Sequence, residues 1–353
     1  MEVNFPNSMH KNKVSASIIA VAKDEGAYLA EWVFHHLYFG FSEIHILINR
    51  TADTSGDILD CIKKKHGNVY YHVVDDIING FINKSSSLSQ VQSKLYLMWY
   101  RKKIIKNDYA LIVDIDEFWT PLDFETDISQ FIIGLSSPPV LSFEWACKLN
   151  ESLFSRPYQQ INELSRNIHV KSMFNTSLSV KKIGPHHIES DSTFQVMANG
   201  HQMDMGPHVQ SSEMEGPLKR AFILHRLWRS QPEYIAHSFK SNPLAEGKFL
   251  SHNGIVMKGN RRGYHVPKQF TTYFNILQDN LDDYENRYNV FLDNTGIREL
   301  IVESQKMVVD RFNKGVKFIQ SYSAENSQVK DFSRNVDLEK AKIDISNFTK
   351  AHN

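Results

Sequence analysis

The chain has 353 residues, 40 Lys+Arg against 40 Asp+Glu, and is 41% hydrophobic and 12% aromatic. That supports a sizeable core in one large domain with appendages or in two domains, and the even charge balance excludes the electrostatic footprint of a nucleic-acid binder. With only Cys61 and Cys147, a disulfide scaffold and a cysteine metal site are excluded too, and a reduced compartment is indicated.

Residues 1–14 are polar and read as a flexible leader without a secretory signal. No run of about 18 apolar residues occurs, so no membrane-crossing helix is expected. The expected location is cytoplasmic, with peripheral contact at the inner face of the membrane left open. Residues 16–22 read as a buried strand. Helical spacing of Leu29, Trp32, Val33, His36 and Leu37 follows, with Asp24 able to cap its start and Gly40 placed to end it. Residues 44–48 form a second predicted strand, 49–56 a polar loop, 57–65 a helix and 69–74 a third strand. Residues 75–89, with Gly80 and a serine run, read as a long polar connection of the kind that is commonly functional. A helix over 90–106 then leads to the stretch on which the chain turns.

There, four apolar residues, Ala110 to Val113, run into Asp114, Asp116 and Glu117. A continuous apolar run fits a strand buried on both faces of a parallel sheet, and charge cannot stay unpaired in that interior, so the carboxylates mark the strand's exit. Side chains alternate along a strand, so Asp114 and Asp116 share a side. Two carboxylates at that edge are placed to hold a divalent cation, where open α/β sheets bind ligands. Asp-x-Asp alone is short, and a structural or helix-capping role is its ordinary reading.

Alternation of strand and helix up to residue 120 predicts a parallel sheet with crossover helices. Beyond it the texture changes. A short helix over 127–135, a strand over 139–147, and mixed or antiparallel sheet with long loops over 151–263 are expected. Nine of the 16 histidines (His169, His186, His187, His201, His208, His225, His237, His252 and His265) fall between residues 169 and 265, which makes a site worth considering. Helical spacing returns over 274–288 and 297–319. Leu300, Ile301, Met307, Val308, Phe312, Val316 and Ile319 form an apolar stripe, read either as core packing or as a partner helix. Residues 323–336 read as a polar linker and 337–348 as a last short helix.

Several segments in order resemble one family. Lys23-Asp24-Glu25-Gly26-Ala27-Tyr28-Leu29-Ala30-Glu31-Trp32 followed by His35-His36 and Gly40-Phe41, then Asp53-Thr54-Ser55-Gly56-Asp57-Ile58-Leu59, then Asp114-Ile115-Asp116-Glu117-Phe118 are similar to family 2-like glycosyltransferases of GT-A fold. The branch is that of the plant and animal β-galactosyltransferases once grouped as a domain of unknown function. His169-Val170-Lys171-Ser172, Gly184-Pro185-His186-His187 and the stretch from His225 to Tyr234 resemble later segments. The family usually has Lys-Asn-Glu where this chain has Lys-Asp-Glu. The likeness covers about residues 15–245 and not the tail.

The resemblance implies a GT-A-like, Rossmann-type mixed sheet flanked by helices over 15–265, with a nucleotide-binding half (15–120) and an acceptor and metal-completing half (121–265), and a helical C-terminal extension over 266–353. It implies metal-dependent, inverting transfer of a sugar from a nucleotide-sugar, a UDP-sugar being the leading donor, to a glycan or glycolipid acceptor, in surface polysaccharide or lipopolysaccharide synthesis. Lys23, Asp24 and Glu25 are then nucleoside contacts, Asp53 lies near base or ribose, and Asp116 is the direct ligand of Mn²⁺ or Mg²⁺. Asp114 contacts the donor or binds the ion through water, and His186, His187 or His225 completes the metal site. Glu117 is a neighbour of the ligands or a solvated strand end. Lys171, Arg226 and Arg229 either balance diphosphate charge or form salt bridges. Trp145 and Trp228 stack on sugar or pack in the core. An inverting transfer needs a general base. The sequence does not single one out among Glu144, Glu189, Asp191 and Asp204. The competing readings are a non-catalytic glycan- or nucleotide-binding protein and an Asp-x-Asp phosphohydrolase. In the latter the motif normally follows the first strand and continues with Thr or Val. The tail is open to a partner, a membrane surface or a second copy of the chain.

Overall fold

A computed structural model describes residues 13–82, 88–192, 194–203, 208, 216–240, 250–252, 255–257, 263–265, 270–322 and 326–352. The elements of the first half are β1 (Ala16–Ala22), α1 (Gly26–Tyr38), β2 (Glu43–Ile48), α2 (Ser55–Lys65), β3 (Val69–Val73), α3 (Asp75–Ile82), α4 (Leu88–Arg101), β4 (Tyr109–Ile112) and β5 (Glu117–Pro121). After them come α5 (Ile128–Gly134), β6 (Val140–Lys148), β7 (Ile161–Asn175), the hairpin of β8 (Val180–Ile183) and β9 (Ile188–Ser190), β10 (Gln195–Met197), β11 (Gln202–Met203), β12 (Ala221–His225) and α6 (Gln231–Ser238). A second hairpin of β13 (Leu250–His252) and β14 (Ile255–Met257) precedes β15 (Thr271–Asn275), α7 (Gln278–Thr295), α8 (Arg298–Tyr322), α9 (Ser327–Ser333) and α10 (Leu338–Ala351).

The main sheet is mixed, in the order β11-β10-β6-β7-β4-β1-β2-β3. β1 is parallel to both β2 and β4, and β2 is parallel to β3. The chain therefore winds outward from β1 to β3 and returns to β4 on the other side of β1. The carboxyl ends of β1 and β4 flank that reversal, the place where an open α/β sheet forms a crevice. β7 runs antiparallel to β4, β6 and β15, and β12 joins β5 to β6. This is the mixed α/β architecture of a GT-A-like fold.

α1 buries Trp32, Val33, Phe34 and Leu37 in a core shared with Trp119, Phe131, Tyr284 and Phe291. On the other sheet face α3 and α4 pack Ile78, Val91, Leu95 and Trp99 over Ile19, Leu47 and Ile112. A third cluster joins α6, α8, α9 and α10 through Ile235, Phe239, Phe312, Phe332 and Ile345. Gly40 ends α1 as its spacing predicts: at φ +82° it lets its own N–H and that of Phe41 bond back to the Leu37 and His36 carbonyls.

Four expectations need correction. Residues 75–82 and 88–101 are helical; Asp75 and Asp76 open α3 at the end that favours negative charge. Residues 271–275 are a strand of the main sheet, so helical structure begins at Gln278 rather than 274. The stretch read as a linker contains α9, whose Val329 and Phe332 are fully buried. α1 is not capped by Asp24: Asp53 Oδ2 instead accepts the Gly26 N–H at 2.8 Å.

Candidate functional site

The crevice at the sheet reversal gathers the loops after β1, β2 and β4 and the turn after β12. Three residues there hold left-handed backbone without being glycine: Asp24 (φ 48°), Arg50 (φ 44°) and Arg229 (φ 54°). Such conformations persist where the surroundings over-determine them, and they gather at functional sites.

Asp114, Asp116 and Glu117 follow the buried strand end, and each meets a cation from the second half. Lys171, buried on β7, lies 3.2 Å from Asp114 and 2.8 Å from Glu117. Burial opposes the ammonium charge, but the two carboxylates more than offset it and hold Lys171 above its ordinary value. Glu117 is fully buried; desolvation outweighs Lys171 and pushes its carboxyl up to about 7. Its Oε2 also accepts the Asp114 N–H at 2.8 Å, which fixes the turn that presents the motif. Glu117 thus acts on the site through the backbone and Lys171, and is not a solvated strand end.

Asp116 faces His225, with Oδ2 3.6 Å from Nε2. The Arg226 N–H donates to the Asp116 carbonyl at 2.8 Å, so the residue after β12 registers the two loops. Burial disfavours the His225 imidazolium, yet Asp116, aided by Cys147, raises it to about 10. A carboxylate beside an imidazole nitrogen is a donor set that suits Mn²⁺ or Mg²⁺, with loss of the imidazole proton on binding. Among the described residues, however, no group of three or more His, Cys, Asp or Glu side chains is arranged to hold a metal. Asp116 and His225 are two donors of that set, one short of such a group.

The other two candidate ligands, His186 and His187, have different neighbours. His186 is a ring neighbour of Trp145 (4.9 Å) and His169 (4.8 Å), and burial, with Lys171 and His169 nearby, lowers it to about 3. His187 sits in the β8–β9 turn, 4.0 Å from Glu189. Trp145 is half-buried and packs on His225 at 4.3 Å, linking the histidine cluster to the Asp116 side. Trp228 lines a narrow cleft with Asp116, Arg226, Arg229, Glu233 and His237.

Lys23, Asp24 and Glu25 reach the crevice, but the acidic pair is held by the protein's own cations. Asp24 Oδ2 lies 3.3 Å from Arg311 and Oδ1 accepts the Ala52 N–H at 2.7 Å. Glu25 is 2.6 Å from Lys240 and 3.6 Å from Arg229. Lys23 is half-buried, which lowers its ammonium, and its carbonyl accepts from Lys240. Asp53 uses both oxygens on backbone, bonding Gly26 N and Ser55 N, so it braces the loop. Arg226 is held in a buried pair with Glu151, whereas the Arg229 guanidinium lies over the Tyr28 ring at 3.5 Å.

Of the candidate bases, the three among the described residues do not converge here. Glu144 is fully buried; it binds the Arg166 guanidinium and accepts the Lys219 N–H at 2.8 Å, so both oxygens are engaged. Asp191 accepts the Ser179 N–H at the end of the β8–β9 hairpin, and Glu189 pairs with Lys182 on the surface. Asp204 lies outside the described residues. Arg311, Ser304 and Lys240 were not singled out by sequence reasoning. A signal existed for two of them: Ser304 and Arg311 fall seven apart within the apolar stripe of α8, where polar residues need a partner.

The chain matches no protein-family model and no curated protein. Among solved structures it is similar to TarS of S. aureus, at 13% identity and a TM-score of 0.27 over 46% of this chain and 29% of that one. It is also similar to the galactosyltransferase LgtC, solved with donor and acceptor sugar analogues, at 16% identity and 0.27 over 45% and 58%. HddC from Yersinia pseudotuberculosis matches at 11% and 0.27 over 60% and 93%. The matched region spans under two thirds of each of the first two. Likeness this partial carries no functional argument.

Proposed function

We propose that the chain is a glycosyltransferase that moves a sugar from a nucleoside diphosphate sugar to a glycan hydroxyl with the help of a divalent cation. The observation that carries this reading is the placement of Asp114 and Asp116 at the end of β4, across the sheet reversal from the loop after β1, with Lys171 and His225 converging on them. Asp116 and His225 would hold Mn²⁺ or Mg²⁺, which neutralises charge on the departing diphosphate as a Lewis acid. Lys171 pairs with Asp114, which is exposed enough to accept hydrogen bonds from donor hydroxyls. Trp145 offers a half-buried ring beside His225 on which an acceptor sugar can stack. Assembly of a surface polysaccharide or lipopolysaccharide by an inverting reaction, with a UDP-sugar as donor, is the finer form of this proposal.

A non-catalytic nucleotide-binding protein is favoured by one observation: Asp24, Glu25, Asp114 and Glu117 all carry cationic partners within the chain. Incubation with a panel of nucleotide sugars, Mn²⁺ and mixed glycan acceptors separates the two. Donor-dependent transfer or donor hydrolysis that Asp116→Ala abolishes is expected. Donor binding by calorimetry with neither reaction would leave the binding protein, and wild-type turnover in Asp116→Ala would remove the metal role.

A further inference from the structure

α8 lies outside the part of the sequence that resembles glycosyltransferases, yet it closes one side of the crevice. Ser304 Oγ sits 2.6 Å from Thr54 Oγ1, and Thr54 donates to the Leu300 carbonyl at 2.7 Å, so the loop after β2 is tied to α8. Two turns further along the same helix face, Arg311 reaches Asp24 at 3.3 Å through Nη1. Its Nε and Nη2 are buried and have no acceptor. Arg229, in the turn after β12, repeats the pattern. Its Nη2 stands 3.6 Å from Glu25, and its Nε is buried without an acceptor. Both guanidiniums act electrostatically on Tyr28 and on Lys240, so they belong to one patch.

Buried polar groups in folded proteins are almost always hydrogen-bonded, and an unmet donor calls for a missing partner. Here three unmet donor nitrogens sit on two arginines beside the carboxyl end of the first strand. Arginine's planar fork matches an oxyanion with several acceptor oxygens, which satisfies the donors and the charge together, as one water cannot. We propose that Arg311 and Arg229 form a clamp for the phosphate oxygens of a nucleoside diphosphate, so that the C-terminal helix is part of the donor site. This rests on the nucleotide-sugar reading above and adds to it the tail's role.

The test is isothermal titration of the full chain with inorganic pyrophosphate and with UDP, GDP and CDP, all with Mg²⁺, and with uridine as the phosphate-free control. Arg311→Gln is expected to weaken pyrophosphate and the bound nucleotide by about tenfold or more and to leave uridine unchanged. Asp24→Asn keeps an oxygen for the Ala52 N–H but removes the ion pair. If Arg311 serves only that pair, the two variants weaken binding alike, and the clamp is overturned. If the clamp exists, Asp24→Asn binds pyrophosphate as tightly as the wild type or more tightly. Should Arg311→Gln fail to fold, Arg311→Lys keeps the charge without the fork, and wild-type affinity in it equally overturns the clamp. A wild type that binds neither pyrophosphate nor any of the three nucleotides removes the nucleotide-sugar reading as well. Binding that is equal in wild type and Arg311→Gln removes the clamp alone.

Discussion

Asp116 and Glu144 are both carboxylates facing a cationic side chain, and their surroundings give them different work. Glu144 is sealed from solvent against Arg166. Removing one member of a buried pair leaves an uncompensated charge, so Glu144→Ala is expected to lose about 3–5 kcal/mol of stability in urea unfolding. Asp116 opens on the cleft, and its partner His225 can shed its proton when the carboxylate is gone. Asp116→Asn is therefore expected to cost less stability than Glu144→Ala in the same measurement, while turnover with a confirmed donor falls about 100-fold or more. The Asp-x-Asp strand was legible because an apolar run that ends in acid fits the exit of a buried strand and little else. That His225 rather than His187 stands beside it was not legible, since it depends on β12 pairing with β5 and bringing His225 opposite Glu117.

At the scale of elements, the loop-to-helix joint around Gly26 is the most tightly built feature of the site. A Cβ at Gly26 would stand 2.1 Å from Ser304 Oγ and 3.1 Å from Asp53 Oδ2. Gly26→Ala is expected to push α8 away from α1 and cost about 1–3 kcal/mol. Adding Ser304→Gly should recover part of that loss, and a double-mutant cycle by chemical denaturation reads the coupling. The stripe of α8 showed a helix with a buried face but not what covers it. Its Val308, Phe312, Val316 and Ile319 belong to one core with Ile235 and Phe239 of α6, so it lies against this chain's own α6. The helix over residues 75–82 was hidden for a similar reason: Gly80 looks like loop locally, while the apolar Ile78 finds its core only through α4 and the sheet.

For the whole molecule, two buried histidines contribute to how stability depends on pH. His35 donates from Nε2 to the Trp119 carbonyl at 2.8 Å, and His36 donates from Nδ1 to the Trp32 carbonyl at 2.8 Å. Burial lowers His35 from 6.5 to about 3, and burial with His35 nearby holds His36 well below its ordinary value. At each of these histidines the unfolded chain therefore binds more protons than the folded one below about 6.5, so each contributes a fall in stability of about 1.4 kcal/mol per unit as pH drops through that window, which Glu31 and Glu117, both raised to about 7, oppose. In urea unfolding between pH 4 and 7, His35→Gln is expected to remove one proton's worth of the histidine contribution to the slope; an unchanged slope would remove His35 as a source. Ligand linkage adds a second whole-chain expectation. With two close protein ligands, Mn²⁺ alone should shift the melting temperature little, and Mn²⁺ with UDP by several degrees. Among the described residues no helix is long and apolar enough to cross a membrane.

Sequence alone determined the periodic parts of this protein: the alternation of strand and helix in the first half, the buried strand that ends in carboxylates, and the stripe along α8. These are local patterns, set by where apolar side chains recur along a strand or a helix. Tertiary structure decided which groups meet. Reversal of strand order beside β1 creates the crevice, β12 brings His225 to Asp116, and α8 carries Arg311 to Asp24 across 287 positions of chain. No local pattern encodes those meetings, because each depends on sheet order and helix packing over long separations in sequence.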